Sequence, residues 1–73
     1  MDGWEFFDDP HLPQHAKEVS GHLLLIYELR AEFCCEHHSP IGDNGRRVLL
    51  QAFKSDSLDA AKTALLTQAQ SIS

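Results

Sequence analysis

The residues with the most reactive side chains lie in one short run, CCEHH, at residues 34–38. Thiolate, carboxylate and imidazole groups are zinc ligands, and a structural zinc ion needs four of them in a tetrahedron. Neighbouring residues of a strand point to opposite faces, so these groups converge only if the chain turns sharply or a distant residue such as His22 joins them. We therefore expect thiols at a strand end, followed by a solvated polar loop, and no bound cofactor. A structural zinc site is the alternative.

The run contains both cysteines of the chain, Cys34 and Cys35. A disulfide between sequence neighbours is strained and would not staple the fold, so we expect reduced thiols in a reducing compartment. A catalytic thiol would pair with His37 or His38, but it would also need a pocket and an oxyanion hole. The sequence indicates neither feature, and we predict that the protein is not an enzyme.

Hydrophobic periodicity predicts the elements that position these groups. In residues 22–34 apolar side chains recur at every second position, which indicates a half-buried strand. Turn-forming residues dominate residues 35–45, and a second strand is predicted over residues 46–54. Residues 57–71 begin with hydroxyl and carboxylate side chains and continue with Ala and Leu, as in a capped amphipathic helix. The predicted class is α+β, with a small antiparallel β-hairpin or sheet packed on a C-terminal helix.

The predicted hairpin register joins the apolar stripes of the two strands, in the pairs Ala31–Val48, Leu29–Leu50 and Tyr27–Ala52. It also places Glu32 opposite Arg47. The helix stripe that would cover one face of the sheet consists of Leu58, Ala61, Leu65 and Ala69, with Ala64 and Ile72 nearby. We predict that it covers the Leu25–Phe33 face. The opposite face would then expose apolar residues of a kind that often marks an interaction site, namely Leu24, Ile26, Leu49 and Phe53.

Residues 1–20 are predicted to be an acidic, aromatic leader before a single small domain at residues 21–73. Pro10 and Pro13 disfavour regular helix and central strand, and a short helix or a third strand donated by the leader are the alternatives. The aromatic rings of WEFFDD either complete the core or anchor a partner that the carboxylates attract. The predicted partner-binding residues of the leader are Trp4, Phe6, Phe7, Asp8 and Asp9. They join Leu24, Ile26, Leu49 and Phe53 of the uncovered face.

Charge and composition limit the classes of partner. The net charge of the 73 residues is −5, and Asp2, Glu5, Asp8 and Asp9 precede the first basic residue, Lys17. Direct binding to nucleic acid needs a clustered basic surface, which the 6 Lys and Arg residues do not form. No apolar run approaches the roughly 18 residues of a membrane span, and the acidic start differs from a secretory signal. We expect a cytoplasmic protein with a protein partner.

The chain resembles the small transcription regulators of lytic Xanthomonas bacteriophages in its length, its opening MDGWEFFDD, the segment GHLLLIYELRAEFCC and its acidic balance. The resemblance covers the whole chain in general character and includes no catalogued motif. It implies binding to the N-terminal region of the β′ subunit of host bacterial RNA polymerase, inhibition of host transcription initiation, and antitermination. The alternative is a small acidic inhibitor of another host or defence complex, such as an anti-CRISPR protein that mimics DNA.

Overall fold

The computed structural model describes residues 3–72, and the side chains of residues 3–70. Asp2 therefore lies outside the described residues. The elements in chain order are β1 (Glu5–Phe7), β2 (Gln14–Val19), β3 (His22–Leu29), β4 (Glu32–His38), β5 (Leu49–Ser55) and α1 (Leu58–Ile72). The strands form one antiparallel sheet in the order β1-β2-β3-β4-β5, and α1 packs on one face of it. The predicted α+β class is confirmed.

Tight turns join the central strands. The φ angles are 51° and 84° at Ser20 and Gly21, between β2 and β3, and 56° and 65° at Arg30 and Ala31, between β3 and β4. Positive φ at both central residues gives the two-residue turn whose twist matches that of the flanking strands. Residues 1–20, predicted to be a leader, supply β1 and β2 of the same sheet. The helix considered for that segment is not formed.

The Arg30-Ala31 turn divides the predicted strand 22–34 into two strands, and the predicted register is therefore wrong. β5 pairs with β4 and not with β3. Tyr27 lies opposite Cys34, and Ala52 lies opposite Glu36.

The predicted pairing of Glu32 with Arg47 is also wrong. The Glu32 carboxylate lies 3.2 Å from the Lys54 ammonium group. Nη1 of Arg47 donates hydrogen bonds to the carbonyl oxygens of Gly21 (2.7 Å) and Ser39 (2.9 Å). Arg47 therefore ties the segment between β4 and β5 to the β2–β3 turn.

The helix forms where the sequence predicts it. The Ser57 hydroxyl accepts a hydrogen bond from the backbone N–H of Ala60 (3.1 Å), as expected of an N-cap residue. Leu58 packs against the core, and the fully buried residues of the predicted stripe are Ala61, Leu65 and Ala69. The side chain of Ile72 lies outside the described residues.

The helix covers the face of the sheet opposite to the predicted one. Leu24, Ile26 and Cys35 are 0% exposed beneath α1, and we call this side of the sheet the helix face. The prediction that α1 covers the Leu25–Phe33 face is wrong because Leu25 and Phe33 lie on opposite faces. The two-residue turn pairs even-numbered residues of β3 with odd-numbered residues of β4. Phe33 pairs with Glu28, and its side chain therefore lies on the same face as Ile26.

Candidate functional site

We call the side of the sheet opposite α1 the open face. The strand register places on it Glu5 and Phe7 of β1, Gln14, Ala16 and Glu18 of β2, Leu23, Leu25, Tyr27 and Leu29 of β3, Glu32, Cys34, Glu36 and His38 of β4, and Leu49, Ala52 and Lys54 of β5. Within residues 3–72, α1 is the only helix, and it lies on the other side. Leu23, Leu25 and Tyr27 consequently remain only half-buried at the centre of the sheet.

One end of the open face is an apolar groove of about 430 Å³. Phe7, Leu23 and Leu25 contribute its large apolar side chains, and its charged lining residues are Glu5, Glu18 and Lys17. Phe7 is 48% exposed. Two carboxylates and one ammonium group give the lining a net negative charge, so the groove is complementary to an apolar side chain on a basic surface.

The other end of the open face is polar. The Tyr27 hydroxyl donates a hydrogen bond to Oε2 of Glu36 (2.9 Å), and Oε1 of Glu36 lies 2.9 Å from Nε2 of His38. The hydrogen bond to Glu36, followed by burial, raises the pKa of Tyr27 above its ordinary 10.0. The phenol therefore stays protonated at neutral pH, and the Glu36 carboxylate is held in one orientation between two partners.

The thiols do not form a nucleophilic site with the neighbouring histidines. Both cysteines are free and buried. Burial, followed by the neighbouring Cys34, raises the pKa of Cys35 to about 11, so this thiol is uncharged at neutral pH. Cys34 and His38 are both on the open face, but four strand positions separate them by about 13 Å between Cα atoms.

The CCEHH run alternates between the two sides of the sheet. Cys34, Glu36 and His38 lie on the open face, whereas Cys35 and His37 lie on the helix face. Among the residues that the structure describes, no three Cys, His, Asp or Glu side chains are grouped to hold a metal ion.

His37 instead contacts His22 beneath α1. Nε2 of His37 lies 3.0 Å from Nδ1 of His22, and the two residues are 1% and 8% exposed. One ring nitrogen must donate and the other must accept, which neutral imidazoles can do. Burial, followed by the positive charges that His22 and His38 would carry, lowers the pKa of His37 below its ordinary 6.5.

We expect the free energy of unfolding to decrease as the pH falls below about 6.5. The unfolded chain then binds a proton at His37 that the folded chain binds only at a lower pH. The free energy of unfolding therefore changes with pH by at most about 1.4 kcal/mol per pH unit for this one proton. Urea unfolding between pH 5 and 8 measures this slope. His37→Gln should reduce it, and the control His11→Gln, at an exposed position, should not. Equal slopes in both variants would contradict the assignment.

The aromatic residues predicted to bind a partner lie on different surfaces. Phe7 lines the groove of the open face. Trp4 packs against the core cluster, with the Lys62 ammonium group 5.8 Å from its ring centroid, which supports its role in completing the core. Phe6 lies on the side of the sheet that carries α1, 4.8 Å from His15 between ring centroids.

The other predicted residues are similarly divided. Leu24 and Ile26 are fully buried beneath α1, so their prediction as an uncovered docking surface is wrong. Phe53 is half-buried against the same cluster. Leu49 is 50% exposed on β5, at the edge of the sheet.

The acidic pair after β1 is exposed. Asp8 and Asp9 follow Phe7, and Oδ1 of Asp9 accepts a hydrogen bond from the backbone N–H of His11 (2.8 Å).

The hydrophobic pattern of the sequence does not predict the central residues of the open face as a docking surface. Leu23, Leu25 and Tyr27 were predicted to lie beneath the helix. Residues 23–27 are LLLIY, with no charged side chain. A continuous apolar run of this kind is typical of a strand with apolar residues on both faces, and it indicates the second apolar face.

Comparison with models of known protein families, with curated proteins and with solved structures finds no match for this chain. In the described part of the chain, no helix has the length and apolar character needed to cross a membrane.

Proposed function

We propose that the protein is a non-enzymatic regulator that binds another protein through the open face. The observation that supports this function best is the groove at Phe7, Leu23 and Leu25, on a sheet face that α1 leaves uncovered. Burying apolar surface contributes about 25 cal/mol per Å². A partner that fills this groove would bury the apolar side chains that line it and gain binding energy from doing so.

The charges around the groove define the chemistry of the partner. Glu5 and Glu18 line the groove together with one cation, Lys17, and Asp8 and Asp9 follow β1. The net charge of the chain is −5. A partner with an exposed apolar side chain among Lys or Arg residues would be attracted by these carboxylates and anchored by the groove.

The partner that we propose is the N-terminal region of the β′ subunit of host bacterial RNA polymerase. Binding in the host cytoplasm would inhibit transcription initiation and promote antitermination. The support is the resemblance of MDGWEFFDD and GHLLLIYELRAEFCC to phage transcription regulators. These two segments contain β1 and β3, which supply Phe7, Leu23 and Leu25 to the groove.

We expect the immobilised protein to retain RNA polymerase from bacterial lysate at about 0.1 M salt and still at about 0.5 M. Salt of that concentration screens exposed charges over a few ångströms but leaves an apolar contact in place. The retained proteins are identified by mass spectrometry, and excess duplex DNA should not displace them. Retention of a different complex at low salt alone, with displacement by DNA, would contradict the proposal and favour a DNA mimic.

A further inference from the structure

We infer that the free edge of β5 pairs with β5 of a second copy of this chain, so that two sheets join edge to edge. β5 is the last strand in the sheet order and has a neighbour, β4, on one side only. The edge involved lies at the opposite end of the sheet from β1 and its groove, and this inference does not depend on the proposed function.

The two edges of the sheet differ in what they offer a further strand. β5 has 7 residues, whereas β1, at the opposite edge, has 3. A long edge strand presents a row of backbone N–H and C=O groups that another strand can satisfy. Val48 extends this edge, because its N–H donates to the Ser39 hydroxyl (2.9 Å) and its carbonyl accepts from the Ser39 N–H (2.8 Å).

Large apolar side chains are also exposed at the β5 edge and in the loop before it. Ile41, Val48, Leu49 and Leu50 are 63%, 62%, 50% and 48% exposed, respectively. No charged residue occurs between Arg47 and Lys54. Burying these side chains against a second copy adds apolar contact to the backbone hydrogen bonds.

Two features that normally protect an edge strand act weakly here. A lysine on an edge strand discourages pairing, but the Lys54 ammonium group is held 3.2 Å from Glu32 of β4, within its own sheet. A bulge also interrupts an edge. Since His37 lies opposite Gln51 and His38 lies opposite Leu49, Leu50 is the extra residue, and the strand from Gln51 to Ser55 remains regular.

The distribution of side chains favours a second copy as the occupant. Antiparallel pairing about a two-fold axis at Ala52 places Leu50 of each copy opposite Lys54 of the other, and no like charges face each other. In this register the edge therefore pairs with itself without charge repulsion.

Sedimentation velocity from low micromolar concentrations to about 1 mM tests this interface, because a single added strand gives a weak association. We expect a dimer at the upper concentrations. Leu50→Lys places an ammonium group opposite Lys54 of the second copy and should yield a monomer at all of them. Leu29→Lys is the matched control, since Leu29 is 52% exposed at the β3–β4 turn, and it should still dimerise.

The double variant Leu50→Lys with Lys54→Glu, made in a Glu32→Lys background that keeps an ion pair between residues 54 and 32, tests the register itself. Opposite charges then face each other across the axis, and we expect the dimer to return. Circular dichroism establishes that each variant is folded. Three results would overturn the inference. They are a monomer at every concentration of the original chain, an equal loss of the dimer in Leu29→Lys, and no recovery of the dimer in the double variant.

Discussion

Replacing Ile26 by alanine is expected to lower the free energy of unfolding by about 2–5 kcal/mol. The Ile26 side chain is 0% exposed beneath α1, and its removal leaves a cavity beside Cys35 and Leu65 that the sheet cannot easily close. A domain of this size has a total stability of about 5–15 kcal/mol, so the loss is a large part of it. Urea unfolding, followed by the fluorescence of Trp4 at the edge of the core, measures the change.

The matched control is Leu25→Ala, one position earlier in β3. Leu25 lies on the open face and is half-buried, so Leu25→Ala should lower the free energy of unfolding clearly less than Ile26→Ala. A helix on the Leu25 side of the sheet would reverse this order. A larger loss in Leu25→Ala than in Ile26→Ala would therefore contradict the assignment of the two faces.

Replacing Leu25 by aspartate is expected to weaken binding of the partner by at least about 30-fold, which corresponds to the loss of a hot-spot residue. The change puts a carboxylate into the apolar groove beside Glu5 and Glu18, where it would have to be buried against the partner. Surface plasmon resonance with purified RNA polymerase measures the affinity, and thermal unfolding establishes that the variant is folded.

Thr63→Asp is the control for the open face, because Thr63 is exposed on α1, which lies on the other side of the sheet. The same charge change at this position should leave the affinity within about two-fold, as expected for a surface residue outside the interface. If folded Leu25→Asp binds as tightly as Thr63→Asp, the open face is not the docking surface.

The helix was predictable because its signals are local. Ser57 lies at the N-cap, and the spacing of Leu58, Ala61, Leu65 and Ala69 matches the period of a helix. The structure places the helix within one residue of the predicted bounds at each end. Each of these features acts over a few residues and does not depend on the rest of the fold.

The β3–β4 turn was not predictable from residue type. Arg30 and Ala31 both adopt positive φ, which is uncommon for residues other than Gly, Asn and Asp. Without a turn, residues 22–34 appear as one long strand in which Leu25 and Phe33 share a face. A two-residue hairpin pairs odd-numbered residues of one strand with even-numbered residues of the next. The errors in the predicted strand register and in the predicted helix-covered face both follow from this turn.

The candidate site was therefore predicted in kind but with mostly different residues. One helix leaves one face of a sheet uncovered, and Phe7 from the N-terminal segment does lie on that face. Ile26 and Leu24 lie on the other face, beneath α1. Their prediction as uncovered residues depended on one continuous strand over residues 22–34, which the β3–β4 turn interrupts. The Tyr27–Glu36–His38 hydrogen bonds required the β3–β4 register and were not foreseen.

The most direct test of the proposed docking surface is to map the contact by NMR, with labelled protein titrated with the N-terminal region of the polymerase β′ subunit. We predict that the methyl signals of Leu23 and Leu25 and the ring signals of Phe7 shift or broaden in proportion to the bound fraction. Signals from the exposed side of α1, such as Thr63, should stay unchanged. Changes confined to α1, or no changes at saturating partner, would contradict binding through the open face.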